Sequence, residues 1–293
     1  MKEQFSEKLS LNKANRERLE VINKIIIEYT TQGYRLTLRQ LYYQLVSRDI
    51  IPNNKKEYAK LSGLLVKGRM FGIVDWYAIE DRTRQPYIPY SVDDIEDAIQ
   101  DTIDQYRLDR MSNQDVYIEV WVEKDALSGV LKRITSKYHI TLVVNKGYGS
   151  ASSMYDASKR IKNAISNGKV CHILYLGDFD PSGMNMVDDI RNRFREFDAD
   201  VVVKRIALTR EQISKYNPPP NFAKMTDPRA KSYVAEFGDK SWEVDALNPK
   251  ILNQLLTDEI EQLIDIELYQ EILDKEKDDV EKLKQFQEQS NEN

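Results

Sequence analysis

Between Cys171 and Gly183 the chain reads CHILYLGDFDPSG, an apolar run that breaks at Gly177 into Asp178 and Asp180. Two carboxylates one residue apart at the end of a hydrophobic strand are groups that hold a hard cation. In an extended segment alternate side chains share a face, with Cα atoms roughly 6.5–7 Å apart, so both acids can reach one ion directly or through water. The same residues also spell a helix start, with Asp180 as N-cap and Pro181 at the first helical position. Glu123 ends an earlier apolar run, VYIEVWV, in the same manner. In a parallel sheet both strand ends lie at one edge, where ligands gather. Glu123, Asp178 and Asp180 are therefore read as one site, against the alternative of three unrelated loop acids. An all-oxygen donor set suits Mg²⁺, which keeps several waters and often binds phosphate as well.

A second group lies far upstream, in LTLRQLYYQLVSRD. After Thr37, a plausible N-cap, Leu38, Leu41, Tyr42 and Leu45 fall on one apolar helix face. Tyr42 is expected in the core. Tyr43 is rotated by about 100° and shares its stripe with Arg39, four residues earlier. A phenol beside a guanidinium can meet a phosphate, whereas one under leucines cannot. The alternative is that both tyrosines are structural. An ordinary phenol, with a pKa near 10, is ionised to about one part in a thousand at pH 7, so attack on a phosphodiester requires proton removal.

The elements that must position these groups change character along the chain. Asn15–Thr30 has helical spacing, the Thr37 helix follows, and Ile51–Asn54 is a turn. KKEYAKLSGLLVKGRMFG makes a second, basic helix with Lys55, Lys56, Lys60, Lys67 and Arg69, and IVDWYAIEDRTR reads as a β-ribbon. Pro86–Pro89 is a connector, and Val92–Tyr106 an acidic amphipathic helix. From Asp115 strands alternate with helices: VYIEVWV, a helix over Asp125–Tyr138, ITLVVN, the loop KGYGSASS with Lys146, a helix over Ser153–Ser166, the Asp178 strand, a helix over Ser182–Phe197 and a strand at Val201–Val203. This alternation predicts an α/β fold with a parallel sheet flanked by helices and right-handed crossovers. Asn217–Pro220 is a loop, and SWEVDALNPKILNQLL passes from a short strand into a helix. Glu243 and Asp245 in that segment are expected to be structural. From about Asp265 the chain is helix-prone and acidic, with QEQSNEN expected to be disordered. The divisions are 1–90, an N-terminal helix and DNA-binding module; 91–114, a connecting helix; 115–252, the metal-binding domain; and 253–293, an acidic helical tail.

The 293 residues are 41% hydrophobic and 31% charged, as in a folded water-soluble chain of about two domains. No stretch approaches the ~18 apolar residues of a membrane span, and the first residues lack the apolar block of a secretory signal. The expected location is cytoplasmic. With a single cysteine, Cys171, and two histidines, His139 and His172, neither an intrachain disulfide nor a Cys/His zinc cluster is expected. The net charge of −5 argues against indiscriminate nucleic-acid binding, but it is uneven. Lys13–Arg84 holds 14 Lys/Arg against 8 Asp/Glu, whereas Leu255–Asn293 holds 4 against 13. A phosphate backbone meets local charge, so the N-terminal third is the DNA-facing candidate, with a merely solvated basic surface as the alternative. The candidate DNA contacts are Lys55, Lys56, Lys60, Arg69 and Lys146.

The acids in VWVEKDAL and LGDFDPSG, with GYGSASS between them, resemble the Toprim domain of topoisomerases, primases and some nucleases. Helix, turn, basic helix and ribbon resemble a winged helix-turn-helix, whose second helix commonly enters the major groove. A winged helix bearing Arg39-Gln40-Leu41-Tyr42-Tyr43 ahead of a Toprim domain resembles the topoisomerase VI A subunit and the meiotic double-strand-break transesterases. The resemblance covers roughly residues 15–250; in layout the chain is similar to the compact Mini-A relatives of mobile elements. It implies Tyr43 as the nucleophile, Arg39 as a phosphoryl-oxygen contact, and Mg²⁺ on Glu123, Asp178 and Asp180, with Glu123 able to shuttle a proton. It further implies a 5′-phosphotyrosyl link and a homodimer in which the tyrosine of one subunit meets the metal of the other. No Gly-x-x-x-x-Gly-Lys-Ser/Thr phosphate loop is present, so ATP-driven strand passage would need a separate ATPase subunit. Toprim-type hydrolysis with Tyr43 idle, and non-catalytic DNA binding, are the alternatives.

Overall fold

The computed structural model describes residues 2–5, 11–80, 87–145, 147, 149–223 and 226–291. Three helices form the first layer. α1 (Lys13–Thr30) starts at the Asn12 cap and buries Leu19, Ile22, Ile25, Ile26 and Tyr29. A two-residue strand, β1 (Leu36–Thr37), leads into α2 (Leu38–Ser47). There Thr37 accepts from the Gln40 N–H while the Gln40 side chain accepts from the Thr37 N–H, a reciprocal capping box. Thr37→Ala removes one of those bonds and is expected to cost about 1 kcal/mol in urea unfolding, with Thr37→Ser close to wild type. α3 (Lys55–Met70) is capped by Asn54 and closes a core of Leu19, Ile22, Leu41, Leu45, Leu61 and Leu65.

The expected β-ribbon is absent among the described residues. Ile73–Ala78 are irregular, and β2 (Ile79–Glu80) pairs in parallel with β1 instead of folding back on itself. Trp76 and Tyr77 turn the chain there: the Tyr77 carbonyl accepts from Arg35, and Arg69 lies over the Trp76 ring. Residues 81–84, the rest of the expected ribbon, lie outside the described residues.

After α4 (Ile95–Gln105) comes the sheet: β3 (Val116–Val122), α5 (Ser128–Tyr138), β4 (Thr141–Val144), α6 (Ala151–Ser166), β5 (Val170–Leu176), α7 (Pro181–Glu196) and β6 (Val202–Ala207). All pairings are parallel, in the order β4-β3-β5-β6. Continuous apolar strands mark a sheet buried on both faces. One face, with Trp121, Ile173 and Tyr175, packs on Met154, Met186, Ile190 and Phe194 of α6 and α7. The other, with Val120, Val122, Leu174 and Leu176, is covered by α5 and by later helices. Glu119 is fully buried yet satisfied, accepting from Arg160, Tyr117 and Trp121.

The remaining elements wrap this sheet. They are α8 (Arg210–Tyr216), the antiparallel pair β7 (Asn221–Phe222) and β8 (Lys240–Ser241) around α9 (Ala230–Phe237), a 3₁₀ turn at Val244–Ala246, α10 (Pro249–Leu263) and α11 (Ile266–Asn291). Leu252, Leu256 and Ile260 of α10 are completely buried against the sheet layer. α11 runs helical through Asn291, where composition led us to expect disorder; Lys277–Asp274 and Lys282–Asp279 pairs support it along the way. Among the described residues no helix is long and apolar enough to cross a membrane.

Candidate active site

Register builds the acid site. Val122 lies opposite Leu176, and the Glu123 N–H donates to the Leu176 carbonyl at 3.1 Å, so Glu123 and the Gly177-Asp178 break stand level. β3 and β5 are neighbours in the sheet although β4 separates them in sequence. The chain leaves this strand pair in opposite directions, which opens a crevice at the carboxyl ends. Glu123 accepts from the Asp178 N–H at 3.2 Å. Burial, then the Asp178 charge, raises the Glu123 carboxyl above its ordinary range. Burial also raises Asp178, against the pull of Lys124. Two carboxylates held in this state invite a cation.

Asp180 takes the helix-start role: its Oδ1 accepts from the Gly183 N–H at 2.6 Å and caps α7, with Pro181 in the first turn. Gly183 is required here because a Cβ would sit 2.2 Å from the Asp178 carbonyl oxygen. Arg205, unanticipated from the sequence, ties the loop down by donating to the carbonyls of Gly177, Asp178, Gly183 and Leu208.

Glu243 and Asp245 are also part of this site. Phe179 and Trp242 exchange backbone hydrogen bonds at 2.8 and 2.9 Å, which zips the 242–246 segment onto the loop after β5. The Val244 N–H then donates to Asp178 Oδ1 at 2.9 Å. Lys124 Nζ lies 2.8 Å from Asp178 Oδ2, 2.8 Å from Glu243 Oε2 and 3.3 Å from Asp245 Oδ1. On the opposite side Arg39 pairs with Glu243 and, at 2.7 Å, with Asp245. The two acids thus join Arg39 of α2 to the sheet edge.

Tyr43 stands behind Arg39, its hydroxyl 3.4 Å from Nη2 and its ring centroid 5.6 Å from the guanidinium carbon. The helical stripe read from the sequence is therefore present, but burial does not separate the tyrosines. Tyr42 and Tyr43 are each 4% exposed. The Tyr42 hydroxyl donates to Asn53 and to the Asn54 carbonyl, and its ring meets Tyr43 and Tyr58 edge-on. Burial pushes the Tyr43 phenol up to about 12, with Arg39 opposing. The cover over Tyr43 comes from residues far away in sequence, which a helical pattern cannot register.

A cavity of about 410 Å³ unites the groups: Arg39, Tyr43, Lys55, Asp178, Asp180 and Glu243 all line it. Glu123 lies behind Asp178, outside that lining. Of the candidate DNA contacts, Lys55 reaches the cavity, Lys56 and Lys60 are exposed on α3, and Lys60 pairs with Glu57. Arg69 donates to the Ile79 carbonyl and lies away from the cavity. Lys146 lies outside the described residues.

No family model, curated protein or solved structure matches the chain significantly. Function must therefore be read from the site. Among the described residues no group of three or more His, Cys, Asp or Glu side chains is arranged to hold a metal ion. The side chains of Glu123, Asp178 and Asp180 are oxygen donors, the type a hard cation takes.

Proposed function

We propose that the chain cleaves double-stranded DNA by tyrosine transesterification at a Toprim-like acid site, with the three-helix N-terminal layer acting as a winged-helix-like DNA-binding module. The observation that carries this reading is the shared cavity of Tyr43, Arg39, Asp178 and Asp180. The Tyr43 hydroxyl gives up its proton, with Glu123 as the shuttle, its oxygen attacks the phosphorus, the bond from phosphorus to the 3′ oxygen breaks, and that oxygen takes up a proton. The products are a 5′-phosphotyrosyl link and a 3′-hydroxyl, and the reverse reaction reseals the strand. Arg39, transferred from Glu243 to a phosphoryl oxygen, neutralises charge gathering in the transition state. Glu123, Asp178 and Asp180 would hold Mg²⁺, which supplies charge stabilisation for the phosphate and the departing oxygen.

Two cuts require two sites, hence a homodimer; ATP-driven strand passage would require a separate ATPase subunit. The resemblance delivers each tyrosine to the partner's acids, whereas within one chain Tyr43 already shares a cavity with Asp178. Mixing Tyr43→Phe with Asp178→Asn separates these arrangements, since only a shared site in trans regains cleavage.

The buried phenol has a kinetic consequence. With its pKa pushed up to about 12, about one Tyr43 in 10⁵ is ionised at pH 7. Single-turnover covalent cleavage is expected to rise about tenfold per pH unit from about pH 7 to 9. A flat profile would show that the phenol is not ionised before the attack, so that a base of the site removes its proton in the transition state or the tyrosine is idle.

The same burial favours a second reading, hydrolysis by water at the acid site with Tyr43 idle. Non-catalytic DNA binding, with the buried acids serving only their ion pairs, is the third. Supercoiled plasmid incubated with Mg²⁺ and extracted before and after proteolysis tests all three. Ends that reach the aqueous phase only after proteolysis support transesterification; free ends support hydrolysis; intact plasmid contradicts both.

A further inference from the structure

Lys124 occupies a place that the proposed reaction leaves unexplained. It directly follows Glu123, and its ammonium is surrounded by oxygens of Asp178, Glu243 and Asp245. The side chain is only 19% exposed, so these contacts take the place of water. Five carboxylates gather here, Glu123, Asp178, Asp180, Glu243 and Asp245, against Arg39, Lys124, Arg205 and the Lys55 of the same cavity, so the cluster is formally short of positive charge.

Two of the three Lys124 partners, Glu243 and Asp245, are anchored elsewhere by Arg39. The third, Asp178, touches Glu123 through its backbone N–H and lines the Tyr43 cavity. We propose that Lys124 is a resident counter-cation that holds Asp178 Oδ2 while no metal is bound and withdraws onto Glu243 and Asp245 when a divalent cation enters. This inference rests on the metal reading above. An ammonium 2.8 Å from Asp178 Oδ2 and a metal ligated by that same oxygen would crowd two like charges. The side chain needs only to surrender one contact of three, so the exchange requires no unfolding. Lys124 thereby acts as a positioning residue: it keeps Asp178 from closing on another donor, and it sets how much cation is needed to open the site.

Removing the ammonium while keeping the stem, as in Lys124→Met, is expected to tighten Mg²⁺ or Mn²⁺ binding about 10- to 100-fold, the scale of one lost charge-assisted contact. Lys124→Arg should stay near wild type. Binding is measured calorimetrically in the Tyr43→Phe background, so that no turnover intervenes. A parallel measurement needs no variant at Lys124: acylation of wild-type Lys124, mapped by mass spectrometry, is expected to rise several-fold at saturating Mg²⁺ as the amine leaves Asp178. Equal or weaker binding by folded Lys124→Met, or unchanged acylation while Mg²⁺ binds, overturns the inference and leaves the metal site standing. If Lys124→Met does not fold, the acylation result alone decides. Absence of divalent binding in both wild type and Lys124→Met overturns the metal reading and this inference together, whereas binding gained only in Lys124→Met supports the inference.

Discussion

Asp245→Ala is expected to lower stability by about 1.5–3 kcal/mol, the scale of the charge-assisted contacts to Arg39 and Lys124 that it removes. Asp245 is wholly buried and lies between Arg39 at 2.7 Å and Lys124 at 3.3 Å. Without it, Arg39 keeps only Glu243, and Lys124 keeps Glu243 and Asp178. The loss should spread, because α2 packs on the 3₁₀ turn carrying Asp245, and Ala246 of that turn enters the N-terminal core. Asp245→Asn, which keeps the volume and one acceptor, should cost less. Urea unfolding followed at the tryptophans measures the difference; a loss below about 1 kcal/mol for Asp245→Ala would show that the pairing contributes little to stability.

The largest effect on activity is expected at Tyr43. Tyr43→Phe keeps the ring that meets Tyr42 edge-on and removes the hydroxyl beside Arg39. Covalent cleavage should fall about 10⁴-fold or more, as when a nucleophile is removed from a group of residues that act together. Stability should change by about 1 kcal/mol or less, since the hydroxyl loses its contacts to Arg39 and Asn221 while the ring stays packed. Asp178→Asn should abolish cleavage by either route. It also removes the Asp178 charge, which after burial is the second cause of the raised Glu123 carboxyl, and weakens the 2.8 Å contact to Lys124. Cleavage that survives Tyr43→Phe with free ends but not Asp178→Asn would assign the reaction to water.

Much of this arrangement is local and so could be read from residue order. VYIEVWV, ITLVVN and HILYL are continuous apolar runs because a parallel sheet buries both faces, and the helices between them put Glu123 and Asp178 at one edge. Asp180 as a cap and Arg39 beside Tyr43 depend on neighbours three or four residues away. What escaped depends on distant segments. Glu243 and Asp245 read as structural because nothing in WEVDAL says that Arg39, about two hundred residues earlier, comes to them. Lys124 beside an acid at a strand end is unremarkable until Trp242 pairs with Phe179 and carries two further carboxylates to it. The alternation of Glu243 and Asp245 around Val244, echoing Asp178 and Asp180 around Phe179, was an available signal. Burial of Tyr43 escaped for the same reason, as the cavity over it is completed by Asn221, Phe222 and Glu243. Over residues 73–80 no ribbon forms, because apolar alternation in IVDWYAIE serves a turn that packs Val74 and Ala78 inward while Arg35 and Arg69 claim the carbonyls of Tyr77 and Ile79.

The most direct test is the chemical identity of the end product. Wild-type protein is incubated with duplex DNA and Mg²⁺, denatured and digested with nuclease and trypsin, and its peptides are weighed. The expected result is a 5′-nucleotide joined through phosphate to the tyrosine at position 43, absent from Tyr43→Phe and from Asp178→Asn. Cut DNA bearing free 5′-phosphates, with every Tyr43 peptide unmodified, would contradict transesterification.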